Sequence, residues 1–143
     1  MLVSTRGRYA LRVMIDLAEH QAEGYIPLKE IAERQEISEK YLESILKVLV
    51  QERLLTGVRG KGGGYQLSRA PESYTVGSIL RLTEGDLAPV ACLQYDADVC
   101  PRQSKCRTLP MWQQFDRMVS DFFEGITLAQ LMQQHEANEQ ERE

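Results

Sequence analysis

The sequence predicts a mainly α-helical protein with one small β-hairpin, arranged as a winged helix-turn-helix head followed by a long C-terminal helix. Two observations predict the head: two helical segments are separated by a three-residue turn, and a glycine-rich hairpin follows them at once. A third observation, a wide apolar stripe over residues 111–123, predicts a long helix that packs against a partner helix.

The three helices of the predicted head follow from apolar residues that recur at helical spacing. In the first helix, Tyr9, Val13 and Leu17 share one face. The turn between the second and third helices is Gln35–Ile37, with Ile37 as its apolar plug. The predicted bounds are 5–21 after a capping Ser4 or Thr5, 28–34 after Pro27, and from the capping Ser38 to about Arg53.

The hairpin has a glycine-rich tip that carries cations. Two short strands, 54–59 and 65–68, flank the tip, in which four glycines surround Lys61 and follow Arg59. Glycine tolerates positive φ and allows the backbone to approach another surface closely. A basic tip with few side chains, beside a recognition helix, suits contact with DNA phosphates or the minor groove. The sequence therefore predicts a DNA-binding protein.

The helices after the hairpin are predicted from residues that typically begin or end a helix. Thr75 is the expected cap of a fourth helix over residues 76–83. Pro110 and Gly125 bound a long helix over residues 111–124. Thr127 is expected to cap a last short helix that reaches about residue 133, before a polar, acidic tail.

Composition and charge narrow the class of protein. The net charge is −4, but residues 53–70 contain cations and no acid, so the charge is segregated along the chain. No apolar run approaches the roughly 20 residues that span a bilayer, and the first residues lack a signal-peptide core, so we expect a cytoplasmic protein without membrane contact. The two histidines, His20 and His135, are expected at the surface, and with no phosphate loop or nucleophile–base set we expect no enzymatic activity.

Four motifs, taken together and in this order, resemble the Rrf-two (Rrf2) family of winged-helix regulators. They are residues 4–10 (STRGRYA), 38–43 (SEKYLE), 58–65 (VRGKGGGY) and 125–131 (GITLAQL). The resemblance covers residues 1–132 and implies a homodimer with a long dimerisation helix that binds a palindromic operator in double-stranded DNA. The family includes iron–sulfur sensors and a repressor of cysteine metabolism.

The candidate DNA contacts lie at the start of the third helix, on the wing and at the start of the first helix. The N-terminal end of the third helix enters the major groove in helix-turn-helix proteins, where Glu43 could accept from a cytosine amine. Arg59 resembles the family's wing residue that reaches into the minor groove. The alternative is an ordinary solvated charged surface. The candidates are Thr5, Arg6, Arg8, Ser38, Glu39, Lys40, Tyr41, Glu43, Arg59, Lys61 and Gly62.

Three cysteines occur in the irregular segment before the long helix, in the spacing Cys92-x7-Cys100-x5-Cys106. Soft thiolates suit iron–sulfur clusters, and the segment matches the position where the family's cluster-binding members hold theirs. The resemblance therefore implies an iron–sulfur cluster, either 2Fe-2S or 4Fe-4S, with these three cysteines as ligands. Nearby cations, Arg102, Lys105 and Arg107, are expected to lower the thiol pKa values.

The fourth cluster ligand is open. Leu109 stands where cluster-binding members often have a histidine. A carboxylate such as Asp96 or Asp98, a residue of the partner subunit or a small molecule could take its place. The alternative is three redox-reactive thiols without a metal. Structural zinc is less well matched, because closely spaced cysteine pairs are absent.

The sequence thus predicts a dimeric, sequence-specific regulator whose operator binding is modulated by an iron–sulfur cluster or by cysteine redox state. A second hypothesis is a cluster-free repressor controlled by a partner protein or by thiol oxidation. A third is a winged-helix adaptor for protein interactions that does not bind DNA. The predicted organisation is a DNA-binding domain at 1–83, a cysteine-containing sensor loop at 84–109, dimerisation helices at 110–133 and an acidic flexible tail at 134–143.

Overall fold

The computed structural model describes residues 2–142, with residues 135–138 described by their backbone alone. Its helices and strands follow the predicted order, and a two-stranded antiparallel sheet forms the wing, which confirms the fold class. The elements are α1 (Thr5–Glu19), α2 (Leu28–Gln35), α3 (Glu39–Gln51), β1 (Leu55–Val58), β2 (Gly64–Leu67), α4 (Val76–Glu84), α5 (Leu109–Glu124) and α6 (Leu128–Arg142).

The predicted side-chain caps form at four helix starts. The Ser4 hydroxyl caps α1 and the Ser38 hydroxyl caps α3, each accepting a backbone N–H bond at 3.3 and 3.2 Å. Thr75 caps α4, and Thr127 caps α6 in the same way. Such caps satisfy backbone donors that have no partner inside the helix, so short local signals set where these helices begin.

The core of the head is built around α1. Met14 and Leu17 are buried against apolar residues of the other head helices, and Leu128 of α6 is fully buried in the same cluster. Tyr74 is also fully buried: its hydroxyl donates to the Leu54 carbonyl at 2.7 Å and accepts from two backbone N–H groups just after β2. The end of the wing is thereby joined to the end of α3.

The wing sheet is continued by one residue that precedes α2. Leu55 pairs with Leu67 and Val58 with Gly64, while Ile26 bridges to Tyr65 from the other side through two N–H···O bonds of 2.9 Å. Gly64 has φ +147°, and a Cβ there would collide with the Ile26 carbonyl. Glycine is required at this position because the backbones approach so closely.

The last helix is longer than the sequence predicts, and the helix before it lies on the surface. Helix α6 continues to Arg142 instead of ending near Gln133, since the intervening residues are mostly good helix formers and include no glycine or proline. Its first turn packs on the head, where the Leu128 N–H donates to the Tyr74 carbonyl at 3.0 Å. None of the residues of α5, all of which are described, is buried. The prediction for His135 lies outside the described side chains.

No described helix is both long and apolar enough to cross a membrane.

Candidate nucleic-acid interface and cysteine pocket

The start of α3 presents the predicted recognition residues to solvent. Ser38, Glu39, Lys40 and Glu43 are all exposed, and Ser38 also caps the helix through its hydroxyl. Tyr41 is different, because it is half-buried and its ring packs edge-on against Tyr9 of α1 with 5.9 Å between centroids. Tyr41 therefore packs the start of α3 against α1, and it also lies next to the exposed recognition residues.

The start of α1 lies next to α3. The Arg6 guanidinium donates to the Ser44 carbonyl of α3 at 3.1 Å, so this half-buried side chain has a structural bond. Arg8 donates to the Thr5 hydroxyl at 3.3 Å, and both side chains are exposed. Of the three predicted contacts at this helix start, Thr5 and Arg8 are available to a phosphate, and Arg6 fixes the helix against α3.

The tip of the wing has an open backbone. Gly60 and Gly62 have φ of +93° and +79°, and apart from each glycine and its two chain neighbours no described atom lies within 4 Å of a Cβ placed there. Arg59 and Lys61 are exposed beside them. The positive φ angles explain why glycine occupies the turn, and the open space leaves the tip accessible to a DNA groove.

A groove of about 540 Å³ separates α3 from the wing, with Glu43, Lys47 and Arg59 among its lining residues. Lys47 is missing from the residues predicted from the sequence. Its position one turn after Glu43, on the exposed face of α3, was the available signal. The groove places a cation from the helix and a cation from the wing on either side of one opening.

The interface is locally basic although the chain is acidic overall. Six cationic side chains lie on its three parts, against the carboxylates of Glu39 and Glu43. Local fields of this kind determine association with a polyanion more than net charge does. The six are Arg6, Arg8, Lys40, Lys47, Arg59 and Lys61.

The three cysteines line a single pocket of about 220 Å³ between the loop and the start of α5. Cys92 lies in a short helical turn, Cys100 and Cys106 flank a second one, and all three are free thiols. The sequence predicts a common site for the three cysteines, and all three line this pocket. The loop's first part is fixed by Asp86, whose carboxylate accepts two backbone N–H bonds of 2.8 Å.

Cysteine thiols are the right type of ligand for an iron–sulfur cluster, but the three cysteines that line this cavity are not assembled as a metal centre. Among the described residues, no group of three or more His, Cys, Asp or Glu side chains is arranged to hold a metal ion. Asp98 lines the pocket, whereas Asp96 lines a separate hollow. Leu109 also lines the cysteine pocket, together with Gln113 one turn later on α5.

The pKa of Cys106 is lowered, chiefly because the Thr108 hydroxyl, 3.5 Å from the sulfur, hydrogen-bonds the thiolate. The Thr108 backbone adds to this effect, and Arg102 contributes least. The neighbouring cation Arg102 therefore explains only a small part of the lowered pKa of Cys106, although the sequence predicts that cations lower the thiol pKa values. A hydroxyl two residues along the chain is the larger cause.

Comparison with known proteins adds a second line of observation. A family model described as "Rrf2: Iron-dependent Transcriptional regulator" matches residues 3–134. The HTH-type transcriptional regulator IscR of Aliivibrio salmonicida is 34% identical over 139 residues, which is 97% of this chain and 82% of that protein.

Two solved structures are similar over nearly their whole length. CymR, the global cysteine regulator of B. subtilis, has a TM-score of 0.75 and 34% identity, covering 93% of this chain and 97% of the other. The IscR of T. potens has a TM-score of 0.72 and 36% identity, covering 94% and 88% respectively. These relatives are regulators rather than enzymes, in agreement with the sequence prediction.

Proposed function

Because the chain belongs to the Rrf2 family of DNA-binding transcriptional regulators, we propose that it acts in the cytoplasm as a homodimer on a palindromic operator in double-stranded DNA. An iron–sulfur cluster or the redox state of the cysteines modulates operator binding. The observation that carries this regulatory part of the proposal is that the three cysteines line one pocket between the loop and the start of α5. Family membership argues against the adaptor hypothesis.

The DNA contacts come from the interface described above. Exposed Ser38, Lys40 and Glu43 face the major groove, while Arg59 and Lys61 of the wing reach an adjacent groove or its phosphates. Arg59→Ala is expected to weaken operator binding about tenfold, the order of one lost specific base contact. Arg142→Ala, at the far end of α6, removes the same charge and is the matched control.

Dimerisation uses the apolar face of α5. Met111, Phe115, Met118 and Phe122 are between 41% and 64% exposed, and their spacing of four, three and four residues is that of an a/d seam. A seam of this length is costly to leave in water. A second copy of α5 offers the same seam, so a symmetric dimer buries both at once.

The cysteine pocket is the proposed sensor. Cys92, Cys100 and Cys106 would hold a cluster as thiolates, with Asp98 available at the same pocket and Leu109 unable to act as a ligand. A bound cluster would supply iron–sulfur redox chemistry. The loop joins α4 of the head to α5, so a change in the pocket alters the link between head and dimer helix.

Control by thiol oxidation without a metal is a second candidate, favoured by the lowered pKa of Cys106. A thiolate attacks one oxygen of a peroxide, the O–O bond breaks and hydroxide leaves, giving a sulfenic acid. A second thiol in the pocket then displaces water to form a disulfide. Both candidates use the same residues, and only the cluster requires iron and sulfide.

The deciding experiment is anaerobic purification with a visible absorption spectrum and assays for iron and sulfide. A brown wild type that contains both, and a colourless Cys106→Ala, would support the cluster. Thr108→Val keeps all three thiols and serves as the control, and Leu109→His is expected to retain iron at least as well as the wild type. A colourless wild type that iron and sulfide cannot reconstitute would leave thiol control.

A further inference from the structure

The start of α1 is held by a carboxylate from the far end of α4. Glu84, the half-buried last residue of α4, accepts hydrogen bonds through Oε1 from the Ser4 N–H at 3.1 Å and the Ser4 hydroxyl at 2.6 Å. Gly7 lies directly beneath, and a Cβ there would collide with Glu84 Oε1. Glycine is unfavourable inside a helix, so the space it leaves for the carboxylate gives a reason for its presence.

A second carboxylate repeats this arrangement one helix further along the chain. Glu124, the last residue of α5, accepts from the Thr75 hydroxyl at 3.1 Å and pairs with Arg81. Gly77 lies beneath it, and a Cβ there would meet Glu124 Oε1. The end of α5 is therefore fixed to the start of α4, as the end of α4 is fixed to the start of α1.

We propose that Glu84 and Glu124 are positioning residues that link α5 through α4 to the DNA-contacting start of α1. The link ends at Ser4, next to Thr5 and three residues before Gly7, so it sets where Thr5 and Arg8 meet a phosphate. It rests on the proposed function, because it assumes that this helix start contacts DNA. Neither carboxylate is itself a DNA contact.

The direction of the change in DNA affinity distinguishes a positioning role of these carboxylates from a purely electrostatic one. Removing a carboxylate near a DNA-binding surface should strengthen DNA binding electrostatically, whereas losing the position of a phosphate contact should weaken it. Exposed and half-exposed pairs of this kind contribute little to stability, so the variants are expected to remain folded.

The test compares Glu84→Ala with Glu84→Gln, which remove the same charge. Glutamine retains a carbonyl oxygen that accepts from Ser4, and alanine does not. Glu19→Gln, at the other end of α1, is the control for charge alone. Binding is measured against salt concentration on a duplex selected by the wild-type dimer from a random-sequence pool, after the melting temperature of each variant is checked.

We expect Glu84→Gln to bind at least as tightly as Glu19→Gln, and Glu84→Ala to bind about fivefold more weakly than Glu84→Gln with a salt slope lower by about one, the signature of one lost phosphate contact. Equal affinity and slope for the alanine and glutamine variants would overturn the inference. A wild type without salt-dependent, sequence-specific binding would instead overturn the proposed function.

The serial arrangement has its own test. Glu124→Ala should weaken binding, and adding it to Glu84→Ala should cause no further loss, because both changes break one chain of contacts. Losses that multiply in the double variant would show two independent effects and overturn the serial link.

Discussion

A buried ion pair joins α1 to α2 and offers a sharp test of how the head is held together. Asp16 is 2% exposed and accepts from Arg34 Nε at 2.9 Å and Nη2 at 2.7 Å, and from the Gln35 amide at 2.9 Å. Asp16 raises the pKa of Arg34, so the guanidinium stays charged in any practical assay. Arg34→Met would leave the carboxylate buried, with the Gln35 amide as its hydrogen-bond donor and the His20 Nδ1 atom 3.7 Å away.

The expected cost follows from this geometry. Removing one partner of a buried pair destabilises proteins by about 3–5 kcal/mol, because an uncompensated charge stays behind. Gln35 still donates to Asp16 and Arg34 is itself partly exposed, so we expect the lower end, about 3 kcal/mol. With a urea m-value of about 2 kcal/mol per molar, the unfolding midpoint falls by about 1.5 M.

The matched control is the double variant Asp16→Leu with Arg34→Met. Replacing both charges by apolar groups removes the desolvation cost together with the pair, so we expect stability within about 1 kcal/mol of the wild type. Urea unfolding is followed by circular dichroism at one fixed protein concentration, since a dimer's stability depends on concentration. A double variant as unstable as Arg34→Met alone would refute the reasoning.

Three further predictions concern the pocket, the wing and α5. In a variant whose only cysteine is Cys106, the rate of thiol alkylation is measured against pH. Thr108→Val should raise the pH midpoint of this curve, because the hydroxyl that lowers the thiol pKa is gone, while Thr108→Ser should leave the midpoint unchanged. Gly64→Ala should cost about 2 kcal/mol or more in thermal unfolding and abolish operator binding, whereas Gly24→Ala, with positive φ but open space, should cost about 1 kcal/mol. Phe122→Asp should give a folded monomer by analytical ultracentrifugation, and a dimer unchanged by it would refute the α5 seam.

Local signals were sufficient for most of the fold. Ser4, Ser38 and Thr75 each cap the helix that the sequence assigned to them, because a cap depends on a few adjacent residues. The burial of Tyr74 and Leu128 could not be predicted in this way, since it depends on the return of α6 to the head. The polar composition after residue 133 predicts an early end of α6, but a helix continues through polar residues when no glycine or proline interrupts it.

The sequence predicts which segments form the candidate site, but it does not predict the individual contacts between their side chains. The cysteine spacing on one loop indicates a shared site, and the three residues line the same pocket. The role of Thr108 at Cys106 depends on a loop conformation that no helical or strand period encodes. Lys47 was overlooked because its importance comes from the wing that lies across the groove from it.

No residue of α5 is buried, and this exposure bears on how well ordered the cysteine pocket is. In the proposed dimer, the second chain covers the seam of α5 and stabilises a helix that is marginal in water on its own. Leu109 and Gln113 of α5 form part of the wall around the cysteines. On that proposal, a newly made chain that has not yet met its partner would have a folded head but a less ordered wall around the cysteines. Responsiveness would then rise with the cellular concentration of the protein, and a scarce regulator would bind DNA poorly and sense little.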